Sequence, residues 1–312
     1  MIDSMFLFLW IIIALIAILA GLDFVKRERV AMDDATRAHA PGSFAILTHG
    51  KTHYVLEGPE NGELIVLVPG ATLPLWIWKD LPARLTQAGY RVLRYDLYGR
   101  GYSDRPHVTY DLPLFEQQLF ELLQSLNLTK PSNLIGLAFG SLIACQFAVN
   151  HSSLVKRICL LTSDGFGVHM SPLTRLMQLP IMGDYLFRVV GTKGLLARLP
   201  EYSRNSQIVD WLQQHYIQEL RIKGFKRSIL SSLRHVALHN ANQLFQKLNE
   251  KAIDVCIIWG TQDPVTPLPD QQRLQQAFPG AQVHALEQVG HLPHVERPEI
   301  VEAILKKFFT AR

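Results

Sequence analysis

Cysteine is scarce in this chain of 312 residues, and its three copies are Cys145, Cys159 and Cys256. Each stands in an apolar helix or strand pattern, and no two of them have the spacing of metal ligands. An odd number in apolar settings argues against a disulfide framework and favours buried free thiols in a reducing compartment. The composition, 48% hydrophobic, allows one large domain or two modest ones with an ample core.

Charge is missing from residues 5–22, a run of 18 residues rich in Phe, Leu, Ile, Ala and Trp. As a helix this run reaches about 27 Å, close to the hydrocarbon thickness of a bilayer. Residues 1–4 carry no positive charge, which argues against a cleaved signal peptide, and residues 17–21 offer only a weak cleavage site. The run predicts one N-terminal transmembrane helix, with a signal peptide as the alternative.

Basic residues follow the apolar run immediately, at Lys26, Arg27 and Arg29. By the positive-inside rule they place the rest of the chain in the cytoplasm. Residues 23–42 are charged and rich in alanine, which predicts a juxtamembrane linker rather than a domain. We therefore expect a single-pass membrane protein whose folded domain lies on the cytoplasmic side.

The rest of the chain is organised around residues 132–144, and this stretch lacks a hydroxyl group at its central position, 138. Its apolar run breaks at Gly136 and Gly140 and resumes with helical spacing, which predicts a strand, a sharp turn and a helix. A serine at position 138 would make this G-x-S-x-G, a nucleophile elbow, but the chain has Ala138. The glycines make steric sense only if the turn is strained and its neighbours are pressed close. We predict the elbow without its reactive atom.

Two further motifs stand in the second half of the chain. Asp263 follows an apolar strand pattern at residues 255–259, and His291 follows a glycine in the loop at 289–298. Elbow, acid and histidine in this order resemble the α/β-hydrolase family. Residues 95–106 are similar to the loop after the fourth strand in many esterase-like and lipase-like members. The resemblance runs from about Phe44 to the C-terminus.

The resemblance implies an α/β-hydrolase fold: a doubly wound, mainly parallel sheet with a helical cap. It implies the activity of a serine esterase or monoacylglycerol-lipase-like enzyme on carboxylic esters, with no cofactor and no metal. Ala138 then occupies the nucleophile position, Asp263 is the acid and His291 is the base.

The oxyanion hole is also implied by the resemblance, with the backbone N–H groups of Ala71 and Phe139 as its donors. The family usually has histidine where this chain has Pro69. A backbone donor does not need that side chain, so we expect the loop to keep its role.

The succession of patterns predicts the domains. A continuous apolar run at residues 64–68 predicts a strand buried on both faces of a mainly parallel sheet, and strand and helix patterns alternate after it. Helical spacing predicts helices over residues 76–88, 112–126 and 300–309. We predict an anchor at 1–22, a linker at 23–42, a core made of 43–164 and 253–312, and a helical cap at 165–252.

The predicted cap is basic, with 12 Lys and Arg residues against five Asp and Glu residues in 165–253. Two interpretations stay open: a face that meets anionic lipid headgroups, or an ordinary solvated helix surface. No nucleic-acid motif is present, so nucleic acid is not an expected partner. Apolar cap residues could line an acyl-chain pocket or form the core of the cap; these are Leu176, Met177, Leu179, Ile181, Met182, Leu186 and Phe187.

Other polar residues compete for the same roles. His294 lies in the loop of His291, but the family motif places its base directly after the glycine, so we expect His294 to pack or bond locally. Asp96, Asp104 and Arg105 are expected to hold their own loop together. Ser141 lies one helical turn beyond position 138 and is expected to point away from His291.

Two functional hypotheses follow. In the first, the chain is a membrane-anchored serine hydrolase of lipid or acyl-glycerol esters whose nucleophile is replaced by Ala138. In the second, it is a natural pseudohydrolase that binds an acyl ligand or acts as a scaffold. The intact Asp263, His291 and elbow glycines favour the first. Oligomeric state has no sequence signal.

Overall fold

A computed structural model of the chain describes residues 28–167, 172–236 and 240–310, together with residues 10, 11 and 21. An eight-stranded sheet has the order β1-β2-β4-β3-β5-β6-β7-β8. The pairs β1/β2 and β2/β4 are antiparallel, and all other neighbours are parallel. The strands are Ser43–Leu47 (β1), Gly50–Glu57 (β2), Leu64–Val68 (β3), Arg91–Tyr95 (β4), Ser132–Leu137 (β5), Val155–Leu161 (β6), Asp254–Gly260 (β7) and Gln282–Leu286 (β8). The predicted mainly parallel sheet is confirmed.

Most of the described helices lie between strands, while the first precedes β1 and the last follows β8. They are Asp34–Arg37 (α1), Leu81–Gln87 (α2), Leu112–Ser125 (α3), Phe139–Asn150 (α4), Pro172–Met177 (α5), Met182–Ala197 (α6), Leu199–Tyr202 (α7), Ser206–Glu219 (α8), Phe225–His235 (α9), Asn242–Asn249 (α10), Gln271–Ala277 (α11), Pro293–Glu296 (α12) and Pro298–Thr310 (α13), with 3₁₀ turns at Leu75–Trp78 and Ser152–Leu154.

Apolar side chains cover both faces of the sheet. Val66 and Val68 belong to one buried cluster and Ile65 and Leu67 to another, because alternate residues of a strand point to opposite faces. Helix α3 packs into the first cluster and α13 into the second. The sheet is therefore doubly wound, as its continuous apolar strands predict.

One predicted helix is interrupted. In place of a single helix over residues 76–88, the chain forms the 3₁₀ turn Leu75–Trp78 and then α2. Lys79 between them has a φ of 45°, which no helix accommodates, and Pro82 near the start of α2 suits the first turn of a new helix.

Helices α5 to α10 lie between β6 and β7, where the sequence predicts a cap. Met177 and Phe187 are buried there, in the same cluster as Ala138. Four of the apolar residues considered for an acyl pocket or a cap core are instead exposed: Leu176, Leu179, Ile181 and Met182. The cap boundaries at 165–252 stay a prediction.

The segment before the sheet bonds to the helical insertion, while its description as a linker at 23–42 stays a prediction. We call residues 28–42 the N-terminal strap. Val30 pairs with Ile222 in a parallel bridge, and Lys223 N donates to Val30 O at 2.9 Å. The Glu28 carboxylate accepts the N–H groups of Gly224 (2.8 Å) and Lys226 (2.6 Å) at the start of α9. An anionic cap at a helix N-terminus satisfies donors that the helix leaves open.

The other end of the N-terminal strap is held by the core. The Arg37 guanidinium is buried, donates to Tyr102 O at 3.2 Å and forms an ion pair with Asp104. The imidazole Nε2 of His53 contacts Pro41 O. The N-terminal strap thus ties the helical insertion to the loop after β4.

The predicted membrane location needs correction. Across the described residues, every helix is too short or too polar to cross a membrane. Apart from residues 10, 11 and 21, the run at 5–22 lies outside the described part of the chain, as do residues 23–27. The expectation of a single-pass, cytoplasmic-facing membrane protein is therefore wrong on this structure.

Removing the Glu28 carboxylate tests the N-terminal strap. Glu28→Ala should lower the free energy of unfolding by about 1 kcal/mol, the usual effect of losing a helix N-cap group. Urea denaturation measures this loss, and limited proteolysis should show earlier cleavage within residues 172–236. The matched control is Glu60→Ala, in an exposed turn, which should leave both readouts unchanged. Equal behaviour of the two variants contradicts the role of the N-terminal strap.

Candidate active site

Ala138 occupies a strained turn between β5 and α4. Its φ is 48° and its ψ is −114°, outside the regions that alanine ordinarily adopts. Three backbone hydrogen bonds hold it there: Ala138 N donates to Leu161 O (2.9 Å), and Ala138 O accepts from Ser141 N (3.0 Å) and Asp164 N (3.2 Å). The methyl group stands at the carboxyl end of the parallel strands, where ligands bind in such sheets.

The two elbow glycines are required by close approach. A Cβ atom on Gly140 would lie 2.1 Å from Val68 O, and one on Gly136 would lie 2.5 Å from Ser141 Cα. Neither contact is tolerated, so only glycine allows the helix to start this close to the sheet. The steric reason predicted for these residues is confirmed.

Asp263 and His291 form a buried pair. His291 Nδ1 lies 2.8 Å from Asp263 Oδ2, and both side chains are almost wholly shielded from solvent. Thr266 Oγ1 donates to Asp263 Oδ2 at 2.7 Å, while Val265 N and Thr266 N donate to Oδ1 at 2.8 and 3.0 Å. A carboxylate with these donors is fixed in place and orients the imidazole through Nδ1–H, which leaves Nε2 for chemistry.

The segment after β6 joins this pair to the elbow. Leu161 O accepts from Ala138 N, and Thr162 Oγ1 donates to His291 O at 3.1 Å. Asp164 N then donates to Ala138 O. Residues 161–164 therefore contact both the backbone of Ala138 and the backbone of His291.

Asp164 is a site residue that the sequence did not single out. Its carboxyl group is buried, and burial raises its pKa to about 6, with His291 opposing the rise and Asp263 adding to it. Its backbone N–H bonds to Ala138 O, so Asp164 is part of the elbow's surroundings. The available signal was an aspartate directly after a buried strand that ends at the same edge of the sheet as β5.

Arg100 is a second residue of this kind. Its guanidinium is fully buried and donates to Ala71 O (2.7 Å), Tyr98 O (2.9 Å) and Ser232 Oγ (2.9 Å). Burial lowers its pKa to about 10. Arg100 thereby fixes the residue that is predicted to supply one oxyanion donor. Phe139, the other predicted donor, opens α4, and the first N–H groups of a helix have no acceptor within it.

Tyr202 extends from α7 over the same site. Its backbone carbonyl accepts from His291 N at 3.1 Å, and its ring lies edge-on to the imidazole with centroids 5.1 Å apart. Its hydroxyl is 3.2 Å from Thr72 Oγ1, in the loop of Pro69 and Ala71. The helical insertion thus contacts both the histidine and the predicted oxyanion loop.

The other polar residues considered for a catalytic role form hydrogen bonds in and around the loop after β4, as predicted. Asp96 accepts from Leu75 N at 2.8 Å and Tyr102 N at 2.9 Å, and pairs with His53 at 2.7 Å. Asp104 accepts from Lys51 N at 2.7 Å, and Arg105 donates to Gly101 O at 2.6 Å. These contacts stabilise the loop after β4.

Ser141 and His294 are also accounted for. The Ser141 hydroxyl is fully buried and donates to Gly136 O at 2.9 Å. His294 Nε2 lies 3.0 Å from Ile77 O, and the ring packs against Trp78 with centroids 5.1 Å apart. Burial lowers the pKa of His294 to about 4, so it is neutral at pH 7 and bonded locally.

Comparison with known proteins gives the family and similar folds. A family model described as alpha/beta hydrolase fold matches residues 63–298. An uncharacterized protein of Mycobacterium tuberculosis is 27% identical over 271 residues, which cover 80% of this chain and 75% of that protein.

Solved structures resemble the chain at the level of the fold. One is a serine-to-alanine mutant of CumD, a meta-cleavage product hydrolase from Pseudomonas fluorescens IP01, complexed with acetates, with a TM-score of 0.69 and 21% identity over 86% of this chain and 97% of that one. Another is a thermophilic esterase from Thermogutta terrifontis, with a TM-score of 0.72 and 19% identity over 86% of this chain and 98% of that one.

The lowered pKa of His294 predicts a loss of stability in mild acid. Between about pH 6.5 and pH 4 the unfolded chain binds a proton at this residue and the folded chain does not, so stability falls as the pH falls. His294→Gln keeps a donor for Ile77 O and removes the proton, and should recover up to about 3 kcal/mol at pH 4. Urea denaturation across this range measures the difference. His107→Gln, at an exposed histidine, is the control and should leave the pH dependence as it is.

Proposed function

We propose that this chain, which belongs to the alpha/beta hydrolase family, binds a carboxylic ester at the elbow and cannot form an acyl-enzyme there, because Ala138 stands in the nucleophile position. In this proposal His291 is the base, Asp263 orients it, and the N–H groups of Ala71 and Phe139 receive the ester carbonyl. The helices between β6 and β7 act as the cap over the ligand.

The observation that carries the proposal is the Asp263–His291 pair held beside an intact elbow. The carboxylate accepts from Thr266 Oγ1 and from two backbone N–H groups, so the protein itself fixes its orientation. A buried acid and imidazole in this arrangement are the general-base half of a hydrolytic site. Family membership supplies the reaction class, and the esterase among its structural neighbours supports the choice of esters.

The residues present can still act on a bound ester. Its carbonyl oxygen would lie toward the backbone donors of Ala71 and Phe139, which stabilise negative charge as it develops. His291 Nε2 would take a proton from a water molecule, which attacks the carbonyl carbon directly. In a serine-protease comparison, binding and the oxyanion hole alone leave about 10³ to 10⁴ over the uncatalysed rate. Slow hydrolysis without a burst is the expected behaviour.

Ligand binding without useful turnover is the second candidate function, and Ala138 itself favours it. A methyl group in place of a hydroxyl group removes the covalent step and leaves the rest of the site unchanged. The chain would then hold an acyl ligand under its helical insertion as a pseudohydrolase. The same experiment separates the two candidates.

Restoring the hydroxyl group tests the proposal. Ala138→Ser should become labelled by a fluorophosphonate probe and should show burst kinetics on p-nitrophenyl esters, because the elbow already presents position 138 to the base. The chain with Ala138 should do neither. Adding His291→Ala to Ala138→Ser should remove both labelling and burst, because the serine then has no base.

The control for this experiment is a check that the Ala138→Ser protein is folded. Its circular dichroism and melting temperature should match those of the chain with Ala138. If such a protein binds an ester and yet neither labels nor turns over, the ester-hydrolase proposal is wrong and the binding function takes its place.

A further inference from the structure

His53 on β2 lies between the core and the N-terminal strap, and its side chain is 1% exposed. Its backbone is bonded on both sides, because His53 N donates to Ser103 Oγ at 3.0 Å and His53 O accepts from Asp96 N at 3.0 Å. The ring packs against the rings of Phe44 and Tyr102, with centroids 5.2 Å away in each case. The imidazole therefore cannot turn away from the groups that its two nitrogen atoms contact.

Both ring nitrogen atoms of His53 face hydrogen-bond acceptors. Nδ1 lies 2.7 Å from the Asp96 carboxyl group, and Nε2 contacts Pro41 O at the end of the N-terminal strap. The carboxyl group also accepts from Leu75 N at 2.8 Å and Tyr102 N at 2.9 Å, which favours its ionised form. A neutral imidazole has one N–H group and cannot donate to two acceptors. The contacts therefore require a protonated His53 with an N–H group on each nitrogen.

Charged groups on several elements act on this imidazole. Burial alone would lower the pKa of His53, but the hydrogen bond to Asp96, the charge of Asp96 and the contact with Pro41 O outweigh burial and raise it. Arg94 of β4 opposes the rise. Glu219 of α8 also interacts with His53, and burial raises the pKa of Glu219 to about 7. His53 therefore holds its proton at a higher pH than an ordinary histidine, and an experiment must separate its titration from that of Glu219.

The N-terminal strap and the loop after β4 bring two further ionisable side chains close to the ring. The Arg37 guanidinium lies 5.8 Å from the centroid of Phe44, against which His53 also packs, and it is paired with Asp104. Burial raises the pKa of the Tyr102 phenol. Between about pH 6.5 and about pH 9 an arginine stays charged and such a phenol stays neutral, so neither accounts for a change in this range.

We propose that His53 is a proton-dependent latch for the N-terminal strap. When its proton passes to solvent at alkaline pH, the neutral ring keeps one N–H group, and the Asp96 carboxylate retains it because a charged acceptor binds a donor more strongly than a carbonyl group does. The lone pair of Nε2 then faces Pro41 O, and this contact is lost. Residues 38–42 are released from the core, while Asp96 keeps its place.

The latch also affects the helical insertion, because the other end of the N-terminal strap bonds to the turn before α9. A released strap ties the insertion to the core less firmly. A raised pKa in the folded chain stabilises it fully below the unfolded value of about 6.5, and this stabilisation is lost as the pH rises through the folded value. The N-terminal strap is therefore closed in neutral solution and opens in alkaline solution.

Side-chain NMR of the full chain, labelled with nitrogen-15 in its histidines, tests the charge state. His53→Gln identifies the His53 signals. Below the transition both ring nitrogens should show the shifts of an imidazolium ion, and the midpoint should lie above about pH 6.5. Only Nε2 should then move to the shift of a nitrogen without a proton. A midpoint at or below about pH 6.5, or loss of the proton from Nδ1, overturns the latch.

Limited proteolysis measures the release of the N-terminal strap. Cleavage by proteinase K within residues 38–42, located by mass spectrometry and normalised to an unstructured peptide, should rise about tenfold from about pH 6.5 to about pH 9. This is the effect of losing one hydrogen bond from a charged donor, because cleavage follows the population of the open form. Cleavage within residues 172–236 should rise in parallel. An amide does not titrate, so His53→Gln should give a ratio of about one at both places.

Two matched variants complete the experiment. His39→Gln changes an exposed histidine of the same strap and should keep the tenfold rise. Glu219→Gln removes the other group that titrates in this range and should also keep it. Circular dichroism should show that each variant is folded; if His53→Gln is not, the NMR titration of the unchanged chain decides.

The outcomes are independent of ester binding and of labelling at position 138. A rise that disappears in His53→Gln and persists in both other variants supports the latch. Cleavage that does not change with pH, a rise that persists in His53→Gln, or one that disappears in Glu219→Gln overturns it. A rise confined to residues 38–42 overturns the link to the helical insertion.

Discussion

The backbone turn at Ala138 is the constraint on which the site depends. A non-glycine residue with a φ of 48° costs about 1–3 kcal/mol and persists only when its surroundings fix it. Here Leu161 and Asp164 bond the turn from β6, and Gly136 and Gly140 allow α4 to pack against β3 and β5. The chain therefore maintains the strained turn although the reactive group is absent. The fold preserves the shape of the site without its hydroxyl group.

The fold likewise keeps several ionisable groups buried at the candidate active site. Carboxyl groups at Asp164 and Asp263 and an imidazole at His291 lie within a few residues of the sheet edge, all shielded from water. Unpaired buried charges destabilise a fold, so each must be held by hydrogen bonds or a charged neighbour. Thr266 and backbone donors hold Asp263, whereas Asp164 responds to its setting with a raised pKa. A merely structural sheet edge would gain stability from apolar residues at these positions.

The sequence predicted those parts of the molecule that short-range patterns determine. Apolar runs located the strands. The glycines, Asp263 and His291 located the elbow and the buried pair because each lies at or soon after the carboxyl end of a strand. Tyr202 and Arg100 have no local signal, since their contacts with Thr72 and Ser232 join residues 130 and 132 positions apart in the chain. The helix break at Lys79 depends on a single backbone angle. The contacts of residues 28–42 have no sequence signal because their partners, such as Gly224 and Asp104, are distant in sequence.

The helical insertion is bonded to two loops of the candidate active site, those of His291 and Thr72. Tyr202 bonds to the His291 backbone and to Thr72, so the insertion cannot shift without disturbing both sides of the elbow. The N-terminal strap bonds to the turn between α8 and α9. A fixed insertion presents its polar groups at fixed positions.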